Sequence, residues 1–176
     1  MEQKRTGVVT FKGTPVTLVG PDILPGSLAP DFRVVDRNLA PVTLATTAGK
    51  VRLISVVPSI DTGVCQAQTR RFNEEAARLP ANVAVMTISV DLPFAQARWC
   101  AAEGIDRVQL LSDYQERSFG LHYGLLVDEL KLLTRAVYVI GADDRVLYRE
   151  IVPEITDQPD YTTALAAARR AAGGEG

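Results

Sequence analysis

The sequence predicts a mixed α/β fold in which helices cover both faces of a central sheet. Two apolar, β-branched segments, 51–57 and 83–90, are typical of buried strands. Between them, apolar residues recur at three- and four-residue steps, which indicates a helix packed on the sheet. Strands that alternate with helices in this way favour the α/β class.

The N-terminal segment is predicted to be a β-hairpin that extends the main fold. Within residues 7–19, two segments alternate between apolar and polar side chains. Gly13 and Thr14 lie between these segments and favour a turn. A connection rich in proline and glycine follows at 20–31. Residues 1–19 are therefore expected to form an N-terminal hairpin extension.

The remaining elements follow from local pattern and turn chemistry. The first helix has Asp61 or Thr62 as its N-cap. The second helix is expected to be capped by Asp91 and ended by Gly104. The predicted strands are 32–35, 42–44, 51–57, 83–90, 108–111, 134–140 and 145–152, and the predicted helices are about 64–79, 94–103 and 160–172.

The bulk properties fit one globular domain over residues 1–176, with a loose glycine-rich tail at 173–176. A net charge of −2 gives no support for binding to nucleic acid or to a membrane surface. The longest apolar run, 83–90, is far shorter than the ~20 residues that a membrane helix needs. The N-terminus has no hydrophobic signal region, so a cytoplasmic location is expected.

One of the two cysteines, Cys65, follows the strand at 51–57 and begins the first helix. The unpaired N–H groups and the positive dipole end of a helix favour a thiolate over a thiol, and the thiolate is the reactive form. The alternative is a buried cysteine that acts as a small hydrophobe. In a reducing compartment, two cysteines favour catalytic or sensing chemistry over a structural disulfide.

The residues before Cys65 form the pattern Pro-x-x-x-Thr-x-x-Cys, with Pro58 and Thr62 seven and three positions upstream. This pattern resembles the active-site signature of the peroxiredoxins, and residues 59–65 resemble the bacterial thiol peroxidase branch. The order of elements resembles a thioredoxin-like fold, although the chain has no Cys-x-x-Cys motif and is not itself a thioredoxin.

The resemblance extends to the second cysteine. Residues 89–100 are similar to the segment that carries the resolving thiol in the same branch, although Trp99 replaces another aromatic residue. Spacing alone leaves two interpretations of Cys100 open: a resolving thiol or a cysteine in a helix core. The resemblance favours the resolving thiol, which forms an intramolecular disulfide with the oxidised Cys65.

The resemblance also implies roles for three further residues. Arg135 would bring a cation and several donors to the thiolate and the peroxide oxygens; the alternative is a solvated residue at a strand start. Thr62 would offer its hydroxyl to the sulfur or the peroxide, or would act only as a helix cap. Pro58 would shield the sulfur from water, or would only end the strand.

The implied activity is reduction of hydrogen peroxide and organic hydroperoxides by a homodimer, with thioredoxin as reductant and no metal or organic cofactor. His122 is the only histidine, and it is expected at a surface or a helix end. Two cysteines and one histidine far apart in the sequence make a poor zinc site. Two other functions stay open: a peroxide sensor that passes oxidation to a partner protein, and a binding module with inert thiols.

Overall fold

The structure is a computed structural model that describes residues 2–173. Its strands are β1 (Lys4–Phe11), β2 (Thr14–Val19), β3 (Arg33–Val35), β4 (Pro41–Thr43), β5 (Val51–Val56), β6 (Val83–Ser89), β7 (Gln109–Ser112), β8 (Leu126–Val127), β9 (Leu132–Leu133), β10 (Ala136–Ile140) and β11 (Val146–Ile151). Its helices are α1 (Gly63–Ala76), α2 (Pro93–Glu103), α3 (Ser118–His122) and α4 (Tyr161–Ala171), with a 3-10 helix at Leu44–Thr47. Of the tail predicted at 173–176, residues 174–176 lie outside the described residues.

The main sheet has seven strands in the order β11-β10-β5-β6-β7-β3-β4. The three central strands, β5, β6 and β7, are parallel, and the connections between them carry α1 and α2. The flanking strands β10, β11, β3 and β4 pair in antiparallel fashion. The prediction of a mixed α/β sheet is confirmed.

The core lies on both faces of this sheet because successive side chains of a strand point in opposite directions. On one face, Leu53 and Val137 pack with Phe72 of α1 and Leu165 of α4. On the other face, the alternate strand residues pack with Phe119 and neighbouring residues around α3. Burial on both faces explains why these strands are mostly apolar in the sequence and do not alternate with polar residues.

The predicted N-terminal hairpin is confirmed as β1 and β2, and it is part of a second sheet in the order β1-β2-β8-β9. The sequence did not predict β8, β9 or α3. Asp113 anchors α3, since its carboxylate accepts hydrogen bonds from the N–H groups of Phe119 (3.0 Å) and Gly120 (2.7 Å). Within residues 2–173, no helix is long and apolar enough to cross a membrane.

The observed ends of α1 and α2 differ in part from the predicted ends. α1 ends at Ala76, three residues before the predicted end. α2 ends at Gly104 as predicted, with a left-handed φ of 66° that glycine adopts readily. The prediction that Asp91 caps α2 is wrong, because the N-cap is Leu92 and no side chain caps the helix. The helix begins with Pro93, whose missing N–H would have had no partner within the helix.

Candidate active site

The sheet topology brings three chain segments together beyond the carboxyl end of β5. β10 is antiparallel to β5, and its first residue, Ala136, pairs with Val56, the last residue of β5. Arg135 precedes Ala136 and is therefore held beside the loop that leaves β5. β6 is parallel to β5, and its Ile88 also pairs with Val56, so the residues after β6 reach the same edge.

Cys65 lies in the first turn of α1 and is 0 % exposed. Its N–H group donates to the side-chain oxygen of Thr62 (3.4 Å), so Thr62 rather than Asp61 is the N-cap. The carbonyl of Cys65 accepts a hydrogen bond from the hydroxyl of Thr69 (2.9 Å). The sulfur is thus fixed at the positive end of the helix and is shielded from water.

Arg135 is 2 % exposed, which excludes the alternative of a solvated residue at a strand start. Its Nη2 donates to Cys65 Sγ at 3.3 Å. Its Nε donates to the carbonyl of Ile155 (2.7 Å), and its Nη1 donates to Gln68 Oε1 (2.8 Å). Within residues 2–173, no carboxylate forms an ion pair with this guanidinium.

The other two residues from the signature lie in the loop between β5 and α1. Thr62 accepts from Cys65 N–H, and its hydroxyl donates to the carbonyl of Ser59 (3.3 Å). Pro58 is buried where the chain leaves β5. The local arrangement therefore shows Thr62 as a helix cap and Pro58 as a buried loop residue beside the cysteine helix.

Asp91 belongs to the same edge, and sequence reasoning did not connect it with the site. Its carboxylate accepts hydrogen bonds from Ser59 Oγ (2.8 Å), from the N–H of Ile60 (2.8 Å) and from Ser89 Oγ (2.6 Å). Two of these donors belong to the loop before Cys65. The position of Asp91, directly after a buried parallel strand, could have indicated that it belongs to this edge of the sheet. The sequence analysis interpreted it as a helix cap.

Gln68 is the second residue that sequence reasoning missed. It lies on α1, three residues after Cys65, and is fully buried. Its Nε2 donates to Ser55 Oγ of β5 (2.7 Å), and its Oε1 accepts from Arg135. The sequence places this glutamine on the face of the helix that packs against the sheet. A buried amide needs hydrogen-bond partners for both its polar atoms, so this position could have indicated a polar contact inside the site.

Cys100 lies on α2 and is half-buried, whereas Cys65 lies on α1 and is fully buried. Both cysteines are free thiols. Burial raises the pKa of the Cys100 thiol, and the positive charge of Arg37 opposes that effect. Cys100 also lines a cavity of about 580 Å³ whose polar walls include Arg37, Gln96 and Arg107.

Arg70 connects the two cysteine-bearing helices. It lies on α1, and its guanidinium forms an ion pair with Glu103 of α2 (2.9 Å). The same guanidinium lies over the ring of Trp99, 5.8 Å from its centroid. Both partners flank Cys100 on α2, so this contact joins α1 to the part of α2 that carries Cys100.

The other candidates lie outside this arrangement. His122 is exposed at the end of α3, as predicted, and its Nδ1 contacts the carbonyl of Asp31 at 2.6 Å. In the part of the chain that the structure describes, no group of three or more histidine, cysteine, aspartate or glutamate side chains is arranged to hold a metal ion.

Comparison with known proteins adds a family and several close relatives. The family model described as Redoxin matches residues 24–165. A thiol peroxidase of Halalkalibacterium halodurans is 58 % identical over 163 residues, which cover 93 % of this chain and 98 % of that protein. A thiol peroxidase of Staphylococcus aureus (strain MRSA252) is 58 % identical over 159 residues, which cover 90 % of this chain and 96 % of that protein.

Two solved structures have the same fold. A peroxiredoxin-like protein from Aquifex aeolicus has a TM-score of 0.88 and 38 % identity, and the match covers 97 % of this chain and 98 % of that one. A thiol peroxidase from Chromobacterium violaceum has a TM-score of 0.80 over 94 % of this chain and 97 % of that one. At 22 % identity, this second likeness concerns the fold alone.

Proposed function

Because the chain belongs to the redoxin family and is a peroxidase of the peroxiredoxin type, we propose that it reduces hydrogen peroxide and organic hydroperoxides through a two-cysteine cycle. In this cycle Cys65 attacks the peroxide, Cys100 resolves the product as an intramolecular disulfide, and thioredoxin restores both thiols. Arg135, Thr62 and Pro58 complete the proposed site.

The observation that carries this proposal is the contact between Arg135 and Cys65. An arginine keeps its positive charge in a protein, and a buried charge is costly unless an opposite charge lies beside it. Among residues 2–173, no carboxylate pairs with the buried Arg135, and its Nη2 lies 3.3 Å from the sulfur. A thiolate at Cys65 supplies the negative charge, and the first turn of α1 favours the same form.

In the first step, the Cys65 thiolate attacks the terminal oxygen of the hydroperoxide. A sulfur–oxygen bond forms and the oxygen–oxygen bond breaks, so that Cys65 is oxidised to sulfenic acid and the peroxide is reduced. The leaving oxygen takes up a proton and departs as water or an alcohol. Arg135 interacts favourably with the negative charge as it moves from sulfur to oxygen, and Thr62 is proposed to offer its hydroxyl to the reacting atoms.

In the second step, the sulfur of Cys100 attacks the sulfur of the sulfenic acid. A disulfide forms, the sulfur–oxygen bond breaks, and the hydroxide leaves as water with the proton from Cys100. Burial raises the pKa of the Cys100 thiol. We therefore expect this step to follow a local opening that exposes Cys100 to water and favours its thiolate.

A local opening is also expected from geometry. A disulfide needs its two Cα atoms about 4.4–6.8 Å apart. The two cysteines are on separate helices, which Arg70 joins through Glu103 and Trp99. We propose that the first turn of α1, α2 or both unwind so that the sulfurs meet. Closing this 35-residue loop stabilises the oxidised form by about 4 kcal/mol in the chain-entropy model.

The third step returns the disulfide to two thiols by exchange with an external dithiol, proposed to be thioredoxin. A cycle of this kind needs a compartment that supplies reducing equivalents, which supports a cytoplasmic location. A homodimer and one domain over residues 1–176 are parts of the same proposal. Leu92 and Phe94 are 51 % and 66 % exposed beside the active edge and are candidates for a dimer contact.

One experiment tests the thiol assignments directly. The protein is mixed with one equivalent of hydrogen peroxide, and mass spectrometry locates any Cys65–Cys100 disulfide. We expect Cys65→Ser to abolish peroxide reduction. Cys100→Ser should complete one turnover and then stall or over-oxidise. Undiminished steady-state activity in either variant would contradict the role of that thiol.

Steady-state consumption of NADPH with thioredoxin and its reductase distinguishes the peroxidase from the sensor. A sensor would turn over slowly and accumulate a mixed disulfide with its partner. Rapid, stoichiometric alkylation of Cys65 at neutral pH would exclude a binding module with inert thiols. Analytical ultracentrifugation of the protein tests the homodimer independently.

A further inference from the structure

The α2 helix is attached to the fold more weakly than α1. In the part of the chain that the structure describes, α1 has a side-chain cap at Thr62 and four buried residues, whereas α2 has no side-chain cap and buries Pro93 and Gln96. The C-terminal half of α2 also borders the cavity of about 580 Å³, which Ala97 and Cys100 line. Segments with few buried contacts open at low cost in free energy. Contacts from neighbouring elements therefore matter more for α2 than for α1.

Arg70 of α1 makes such contacts with the end of α2 that carries Cys100. Its Nη2 and Nε lie 2.9 Å and 3.2 Å from Oε2 of Glu103, so two nitrogens contact one carboxylate oxygen. Its guanidinium lies over the ring of Trp99, 5.8 Å from the centroid. Trp99 is one residue before Cys100, and Glu103 is three residues after it. Any movement that unwinds this part of α2 therefore breaks these contacts.

We propose that Arg70, with Glu103 and Trp99, forms a latch that sets the rate at which α2 opens and Cys100 reaches the oxidised Cys65. This inference rests on the proposed function, because it concerns the step in which the disulfide forms. It adds that the opening passes through the C-terminal half of α2 and that a side chain of α1 controls it. The latch thereby sets how long the sulfenic acid persists before it is resolved.

The exposure of the latch determines its strength. The side chains of Arg70 and Glu103 are partly exposed, and ion pairs of this kind shift an equilibrium by up to about fivefold. The contact with Trp99 contributes a similar factor of about two to five. Loss of both contacts should raise the opened fraction of α2 about tenfold, and loss of the ion pair alone should raise it about threefold.

The test compares the parent protein with Arg70→Ala and Glu103→Gln. Each reduced protein receives enough hydrogen peroxide to complete the first step before the disulfide forms. It is then quenched at successive times, and mass spectrometry measures the Cys65–Cys100 disulfide. We expect this disulfide to form about tenfold faster in Arg70→Ala and about threefold faster in Glu103→Gln. The double variant should be no faster than Arg70→Ala, since both changes remove the same ion pair.

The first step serves as an internal reference. The hydrogen bonds of Arg70 go to Glu103 and Gln66, so the latch is separate from the contact between Arg135 and Cys65. We expect the rate constant of the first step to stay within about twofold of the parent, because charges near the surface are strongly screened. Raising NaCl from about 0.05 M to about 1 M should accelerate disulfide formation in the parent and leave Glu103→Gln unchanged, because salt screens the ion pair.

Arg71→Ala is the matched control. Arg71 also lies on α1, forms an ion pair with Glu75 (3.4 Å) and lies over the ring of Tyr161, 5.2 Å from its centroid. Glu75 belongs to α1 and Tyr161 to α4, so the same kinds of contact are lost without any effect on α2. We expect its disulfide to form within about twofold of the parent rate. Equal acceleration in Arg71→Ala, or equal rates in the parent and both latch variants, would overturn the inference.

Amide exchange of the reduced proteins separates this inference from the proposed function. Exchange at residues 97–103 should be about tenfold faster in Arg70→Ala than in the parent or Arg71→Ala, because exchange reports the opened fraction. If the parent forms no Cys65–Cys100 disulfide, the proposed function fails, but the exchange rates still test the latch. Equal exchange in the parent and Arg70→Ala would overturn it.

Discussion

Replacing Arg135 is the most informative perturbation, because one side chain carries both the charge and the geometry of the proposed site. Arg135→Met keeps an unbranched apolar stem and removes the guanidinium. Cys65 Sγ then loses its donor at 3.3 Å, and Ile155 and Gln68 each lose a buried hydrogen bond. Two effects follow, one on the reaction and one on stability, and they can be measured separately.

The size of each effect follows from the structure. Opposite charges 3.3 Å apart interact by about 5 kcal/mol at an effective dielectric constant near 20, which sets an upper bound. Loss of one preorganised donor to a transition state costs about 2.7–4 kcal/mol, or 10²–10³-fold in rate. We therefore expect the rate constant with hydrogen peroxide to fall by about 10²–10³ at neutral pH. The unpaired acceptors should lower the free energy of unfolding by about 1–3 kcal/mol each.

Stopped-flow measurement of the first turnover, with urea unfolding of the same samples, separates the two effects. Arg52→Met is the matched control, because Arg52 is also fully buried but binds Asp144 and the carbonyl of Gly141 at the other end of β5. The control should lose stability and keep its rate constant within about threefold. A folded Arg135→Met protein that reacts with peroxide within about threefold of the parent would refute the reasoning.

Three further predictions concern the surroundings of the site. Thr62→Ala removes the cap of α1 and should cost about 0.5–2 kcal/mol in urea unfolding, and recovery in Thr62→Ser would identify the hydroxyl as the cause. Asp91→Asn weakens the hydrogen bonds to the loop before Cys65, so amide exchange at Ile60 should accelerate; unchanged exchange would contradict the role of Asp91 in holding that loop. Burial raises the pKa of Asp113 to about 6 despite two backbone donors. The protonated acid is therefore favoured in the folded state, and its stabilising effect is present below about pH 4 and lost as the pH rises through about 6. The free energy of unfolding should then fall by about 3 kcal/mol more across this range in the parent than in Asp113→Asn; parallel pH profiles would exclude the raised pKa.

The strongly periodic parts of the sequence predicted their structures well. β5 and β6 are mostly apolar and β-branched, and α1 places Cys65, Thr69 and Phe72 on one face, so tertiary contacts only reinforce the local preference. α3, β8 and β9 could not be predicted in this way. A five-residue helix and two-residue strands have no measurable period, and α3 depends on Asp113, which reaches its N–H groups only in the folded chain.

Asp91 shows how a correct local pattern leads to a wrong assignment. An acidic residue just before a helix is typical of an N-cap, and here it stands one residue before the N-cap position of α2. Its carboxylate instead binds Ser59 and Ile60, which are about thirty residues earlier in the chain. The parallel pairing of β5 with β6 brings those groups together. This pairing cannot be derived from the spacing of residues along the sequence.

The sequence by itself determined that Cys65 begins a helix directly after a buried strand, because an apolar strand, a polar residue that can cap a helix and helical spacing are properties of neighbouring residues. Only the tertiary structure decided that the guanidinium of Arg135 reaches that sulfur and that the amide of Gln68 holds it there. These contacts join residues up to 70 positions apart. They depend on the register between β5 and β10 and on which face of α1 packs against the sheet, and both are set by burial of the whole core.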